Sequence, residues 1–378
     1  MADTMTSRER LWAALSGEQP DRVPIWMLYP RERLGYYADV HALPSYARVM
    51  PAIWNQTDWL DRRSIPAPPF YTADAQGESS VEVVQDWTIT RTVLHTPLGD
   101  LASEVRTHRR NAAGARTVYA CNSVDDLEKI LSIPYTPVEP NLTDFGRAAQ
   151  ELGDAGLMMV NLSMPVGVLH GLVPPDLFAL WTLTDLDAMV RFTEVMFERE
   201  YAFLEKALGA GAGPVFFAVG TEFVAPPMCS PKAFDALITP YDAPLFELIH
   251  RYGGRVIVHH HGNTHAILER IAALEPDGIQ PIEEPPVGDC TLAAAKQRIG
   301  EQVCLIGSVQ YDDFERLTPD EMEALVRRQL CDAADGGGMI LAPTAGPYAA
   351  DLSPRAQENT LRFIEAGKRW GRYPLAWD

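Results

Sequence analysis

The chain is 378 residues long, 47% of them hydrophobic, and carries a formal net charge of −19. That length suits one (β/α)8 barrel with insertions, whose core needs about 250 residues, or two ordinary domains. The acidic balance repels a phosphate backbone and excludes nucleic acid as a natural partner, and no apolar run of about eighteen residues is present to cross a membrane.

The opening residues read as a charged helix without the apolar stretch of a signal peptide. Thr6 is placed to cap that helix, Glu9 completes a capping box, and Leu11, Ala14 and Leu15 form its apolar stripe. After the turn Gln19-Pro20-Asp21-Arg22, residues 23–28 read as a first buried strand. Between residues 40 and 150 the pattern is less regular. Runs at 88–93 and 101–105 flank the turn Thr96-Pro97-Leu98-Gly99-Asp100, which predicts an antiparallel hairpin outside the main sheet.

From residue 155 onward apolar runs at 156–162, 215–219, 255–259, 278–282, 303–308 and 338–342 alternate with helical patterns. Ser230-Pro231, Thr318-Pro319 and Ser353-Pro354 each place a capping hydroxyl before a proline at the first helical position. Strand–helix repetition predicts a parallel sheet covered by helices. A closed barrel and an open doubly wound sheet both satisfy it, but no G-x-G-x-x-G follows a strand to favour a dinucleotide fold. The expectation is therefore an α/β chain forming a single (β/α)8 TIM barrel over residues 1–378. Its helical and hairpin extension lies within about residues 1–150, and its regular repeats within about 155–378. The five widely spaced cysteines, odd in number and without a C-x-x-C pair, point to a reducing, cytoplasmic setting rather than a disulfide framework.

In parallel α/β folds the reacting groups gather at the C-terminal ends of strands. There the sharpest feature is His259-His260-His261. Alternation along a strand points His259 and His261 the same way and His260 the opposite way. Neutral imidazoles suit zinc, iron or nickel, and a carboxylate from Glu222, Glu283 or Glu284 is available as third ligand. Two histidines and a carboxylate with one open position form a catalytic rather than a closed structural site. The bland alternative is a polar barrel mouth in which the histidines only hydrogen-bond to carboxylates.

The other candidates each have a similar double reading. Glu222 serves as ligand, as acid/base, or as an arginine's salt-bridge partner. Of Glu283 and Glu284, adjacent on the chain, at most one faces the site. Asp289 is placed to cap a helix near Thr291, and His265 falls in a helix as a solvated residue. Trp26, Tyr29, Arg31 and Arg33 follow or end the first strand, where an arginine clamps a substrate carboxylate or simply sits in a loop. Tyr348 follows the last strand.

The segments SRERLWAALSGEQPDRVPIW, HTPLGDL, CSPKAFDALITPYDAPLFELIHRYG, GSVQYDDFERLTPDEMEALV and GGGMILAPTAGP occur in this order along the chain. Together they resemble the uroporphyrinogen decarboxylase family over essentially the whole length. The resemblance implies a (β/α)8 barrel with one of two chemistries. One is cofactor-free decarboxylation of porphyrinogen acetates; the other is zinc-dependent methyl transfer involving corrinoid proteins, thiols or methoxylated substrates. Where the decarboxylases carry R-Q-A-G-R-Y, this chain has Tyr29-Pro30-Arg31-Glu32-Arg33-Leu34, so only Arg33 matches an arginine. Where the thiol-directed methyltransferases carry H-x-C-G and a later G-C-G, it has His259-His260-His261-Gly262 and Ala345. Loss of both thiolates makes the site harder and suits an oxygen-containing ligand.

The expectation that follows is a zinc-dependent methyltransferase or demethylase. Its donor is a small methoxylated or methylamine compound, its acceptor a corrinoid protein, and its oligomeric form a homodimer. His259, His261 and Glu222, or Glu283 in its place, hold the metal; Trp26, Tyr29, Arg33 and Tyr348 contact substrate. The alternatives are a decarboxylase using the histidines as acid and base, and a barrel that binds a tetrapyrrole or corrinoid without turnover.

Overall fold

A computed structural model describes residues 3–32, 37–109 and 114–376. Among the described residues eleven strands divide between two sheets. The main sheet holds β1 (Trp59–Arg63), β6 (Gly156–Ser163), β7 (Val215–Val219), β8 (Arg255–His259), β9 (Gly278–Gln280), β10 (Cys304–Val309) and β11 (Met339–Pro343). They lie side by side in that order, all parallel. The second sheet is antiparallel: β2 (Gln76–Val84), β3 (Trp87–His95), β4 (Leu101–His108) and β5 (Gly114–Val118). The expected hairpin is its centre, β3 against β4. It stands apart from the parallel sheet, because hairpin strands have no crossover helices to cover them.

Side-chain alternation sorts the main sheet into two cores. Leu60, Met159, Phe217, Ile257, Ile306 and Ile340 meet inside the curl of the sheet, while Val160, Phe216, Val256, Ile279, Leu305 and Leu341 face the helical layer. The opening helix, Ser7–Leu15, starts in the predicted capping box of Thr6 and Glu9. It inserts Leu11, Ala14 and Leu15 into the interior core. Each of the two leucines contributes about 1.5–3 kcal/mol on burial, so the helix acts as a plug.

Residues 23–28, expected as the first strand, form an extended segment joined to both edges of the sheet. Trp26 N donates to Leu341 O (2.9 Å), Leu341 N to Pro24 O (2.9 Å), and Asp58 N, just ahead of β1, to Ile25 O (2.7 Å). Pro24 has no N–H to extend the ladder, and Leu28 turns into the left-handed region at φ 56°. The segment thus fills the gap between β11 and β1 without becoming a regular strand. Among the described residues no helix is long and apolar enough to cross a membrane.

Candidate functional site

The layer of side chains above the interior core is polar. Arg62 from β1, Asn161 from β6, His259 from β8 and Gln280 from β9 follow Leu60, Met159, Ile257 and Gly278 by two residues each, so they share the inward face. Arg62 lies over the Phe217 ring (4.5 Å to its centroid) and its Nε donates to Asn161 Oδ1 (2.8 Å). The His259 ring packs against the same Phe217 (4.9 Å between centroids), which also meets the Trp26 ring, edge-on at 6.2 Å. Trp26 is buried in this floor, and its indole N–H has no hydrogen-bond partner.

His259 is oriented by a relay. Gln280 Nε2 donates to the Thr344 carbonyl (3.0 Å), which turns Gln280 Oε1 toward His259 Nδ1 (2.7 Å). The network therefore assigns the His259 proton to Nδ1 and the lone pair to Nε2. Burial, aided by the charges of His261 and Arg62, holds the ring far below the usual imidazole pKa and so neutral. Its Nε2 looks across 4.0 Å at Glu222 Oε2, a buried oxygen without a hydrogen-bond partner. Glu222 reaches this position because the chain leaves β7 at Gly220 and turns through a short 3-10 helix, Thr221–Val224. Burial pushes its carboxyl up to about 7 against the opposing pull of His261 and Arg62.

His261 stands edge-on to His259, with 4.6 Å between ring centroids. Its Nδ1 lies 3.3 Å from Glu283 Oε1, while Glu283 Oε2 accepts the Gly262 amide (2.7 Å). Gly262 sits at φ +89°, a conformation that costs glycine little and aims that amide at the carboxylate. Burial opposes charge on His261, but the Glu283 carboxylate more than offsets it and raises the imidazole. Burial likewise favours neutral Glu283, and His261 with the Gly262 amide hold it below the ordinary carboxyl range. Glu284 faces away, paired with Arg328 (2.6 Å). His260 turns to the back of the strand, where Nδ1 meets Thr221 Oγ1 (3.1 Å) and Nε2 has no partner.

The chemistry of this donor set fits a metal ion. Each imidazole commits Nδ1 to a protein acceptor, Gln280 or Glu283, so each Nε2 and the orphaned Glu222 oxygen are the atoms that could hold one. The His259–Glu222 separation is somewhat wider than the roughly 3.3 Å set by two zinc bonds of about 2.0 Å at a tetrahedral angle. Among the described residues no three His, Cys, Asp or Glu side chains already enclose a common point.

Not every predicted residue joins the group. Tyr29 is buried in the outer layer, edge-on to Tyr46 at 6.0 Å, because Met27 and Tyr29 alternate outward from Trp26 and Leu28. Arg31 stacks over Trp54 (4.3 Å) and Trp59 (5.0 Å). Arg33 lies outside the described residues. Tyr348 is half exposed at the rim and donates to Asp312 Oδ1 (2.7 Å). His265 lies in the turn before the helix Leu268–Ala272, not inside it. Asp289 accepts the His265 amide (2.9 Å), and Thr291 itself caps the following helix. Sequence reasoning missed Arg62, Asn161 and Gln280. The first has a visible cue once β1 is known, since Leu60 and Arg62 alternate inward with Asp61 and Arg63 outward.

The sequence matches the uroporphyrinogen decarboxylase (URO-D) family over residues 83–370. No curated protein matches it. Among solved structures, a methyltransferase from Methanosarcina mazei superposes with a TM-score of 0.63 at 18% sequence identity, covering 97% of this chain and 99% of that one. At that identity the likeness is one of fold.

Proposed function

The chain belongs to the uroporphyrinogen decarboxylase family, and from that premise we propose that it is a zinc-dependent methyltransferase or demethylase on a closed (β/α)8 barrel. It takes a methyl group from a small methoxylated or methylamine substrate and passes it to a corrinoid protein. The observation that carries this reading is the pairing of both Nδ1 atoms with Gln280 and Glu283 beside an orphaned Glu222 oxygen. Catalytic histidines of a metal site are characteristically braced in this way.

His259, His261 and Glu222 would hold the ion, with Glu283 supporting His261. Zinc bound there supplies Lewis acidity at the heteroatom that bears the methyl group. Gln280 keeps His259 in the tautomer that offers Nε2. Arg62 presents positive charge to an anionic group on the substrate, and the Trp26–Phe217 floor keeps water from below the reacting atoms.

Arg62 also favours a second reading. A cation in the mouth, flanked by His259 and Glu222, suits a substrate carboxylate, with the histidines moving the proton of a decarboxylation. Elemental analysis combined with chelation separates the two. Methyl transfer predicts about one zinc per chain, lost in His261→Ala, and transfer to free cobalamin that stops in chelator. A metal-free protein that keeps full activity in chelator would overturn it in favour of decarboxylation.

A further inference from the structure

A second cleft opens beside the mouth, between the C-terminal ends of β1 and β6 and the helix Leu186–Gly209, with a volume of about 410 Å³. Asn161, which holds Arg62, belongs to its wall and links it to the mouth. The opposite wall is aromatic: Phe70, Tyr71 and Phe203, with Tyr71 and Phe203 5.4 Å apart between ring centroids. Among the described residues the lining contains one carboxylate, Glu200, and no Lys, Arg or His.

Glu200 is 1% exposed, and neither of its oxygens has a hydrogen-bond partner. The Tyr71 phenol approaches it closely enough to influence its acidity, yet completes no well-formed hydrogen bond. Asp242, on the helix Thr239–Arg251, is fully buried, interacts with Glu200 electrostatically, and also lacks a partner on either oxygen. Buried acids are ordinarily matched by a cation or by donors. Here, among the described residues, the cleft wall and the helix behind it provide two acids and no base matched to them, beside an open space walled by ring faces.

We propose that this cleft binds a small organic cation of the alkylammonium class, its charge received by Glu200 and its alkyl groups lying on Tyr71, Phe203 and Phe70. An ammonium ion is the ligand whose charge the two carboxyls lack and whose hydrocarbon surface the aromatic faces accept. A neutral ligand of the same shape leaves Glu200 unmatched, whereas an ammonium ion stabilises the carboxylate as the buried carboxyl gives up its proton. The proposal stands whether or not the mouth holds zinc.

The test is a titration of the full chain with tetramethylammonium chloride at constant ionic strength, followed by calorimetry and by NMR. Neopentyl alcohol, of similar shape without the charge, is the neutral control. The expected result is saturable millimolar binding of tetramethylammonium and no competition from the alcohol. Affinity falls at least about tenfold in Glu200→Gln, which keeps the shape but cannot ionise to match the cation. Phe203→Leu weakens binding to a smaller extent while Glu200 remains. Equal affinity of the wild type and Glu200→Gln, equal binding of the alcohol, or absence of saturable binding would each overturn the proposal.

Discussion

Two buried ionic clusters lie at opposite ends of the parallel sheet, and they differ in one respect. At the N-terminal end Arg10 donates to Asp21, Asp58 and the Met5 carbonyl, and Arg22 to Asp58, Asp3 and the Val23 carbonyl, all at 2.7–3.2 Å. Asp58 further accepts the Ile25 amide (2.8 Å). At the C-terminal end Glu222 Oε2, His260 Nε2 and Trp26 Nε1 have no partner. Full pairing marks the first cluster as scaffold, since it ties the opening helix, the 23–28 segment and β1 together. Incomplete pairing marks the second as a place where the fold tolerates buried polar atoms that a ligand can satisfy.

The largest effect is expected where pairing is complete. Asp58→Ala removes the carboxylate that Arg10 and Arg22 share, leaving Arg10 to Asp21 and Arg22 to Asp3 in a buried site. It should cost about 3–5 kcal/mol of stability, read from guanidinium denaturation. A variant within about 1 kcal/mol of wild type breaks the contrast between the two ends.

The unpaired acids of the side cleft should respond with the opposite sign. Burial, reinforced by Asp242, holds Glu200 well above its ordinary value of 4.5. The folded chain keeps this proton while the unfolded chain releases it. The contribution to stability is therefore complete below 4.5 and is lost as pH rises toward the folded-state pKa. That is a slope of about 1.4 kcal/mol per pH unit while only the folded form stays protonated. Glu200→Gln removes this slope, so the variant should gain on the wild type as pH rises from 5 to 7 in a series of urea melts. Parallel pH dependence in the two proteins would show that Glu200 ionises normally.

At the mouth, Gln280→Leu keeps the shape but frees the His259 tautomer. It should weaken zinc about 10–100-fold in competition with a chelator, with stoichiometry at saturation unchanged. An unaltered affinity would separate Gln280 from the metal reading and leave it as packing.

Much of this organisation is legible in the residues. The capping box at Thr6 and Glu9, the hairpin around Gly99 and the opposed directions of His260 and its neighbours follow from local rules, and the structure has each of them. What escapes is set by tertiary context. β1 carries three charged residues in five, Trp59-Leu60-Asp61-Arg62-Arg63, because its C-terminal half lines a polar mouth, and so it lacks the apolar pattern of a buried strand. Gln280 looks like an ordinary strand residue until Thr344, 64 positions later, orients its amide. Tyr29 shows the complementary point: proximity in sequence to the strand end does not decide which face a side chain takes, and Leu28 at φ 56° closes the segment just before it.

Pairing should matter only where water is excluded, and the smallest expected effect tests that condition. The Tyr348 hydroxyl is as well paired as any group at the N-terminal end, donating to Asp312 at 2.7 Å, with its ring 4.6 Å from Tyr311. Yet 48% of the residue is exposed, so in Tyr348→Phe water replaces the phenol as donor to Asp312 and the ring contact persists. The loss should stay at or below about 1 kcal/mol, several-fold less than for Asp58→Ala, with zinc affinity unchanged. Should Tyr348→Phe instead destabilise the chain as much as Asp58→Ala, hydrogen-bond completeness rather than its combination with burial would be the property that distinguishes scaffold from site, and the division between the two ends of the sheet would have to be redrawn.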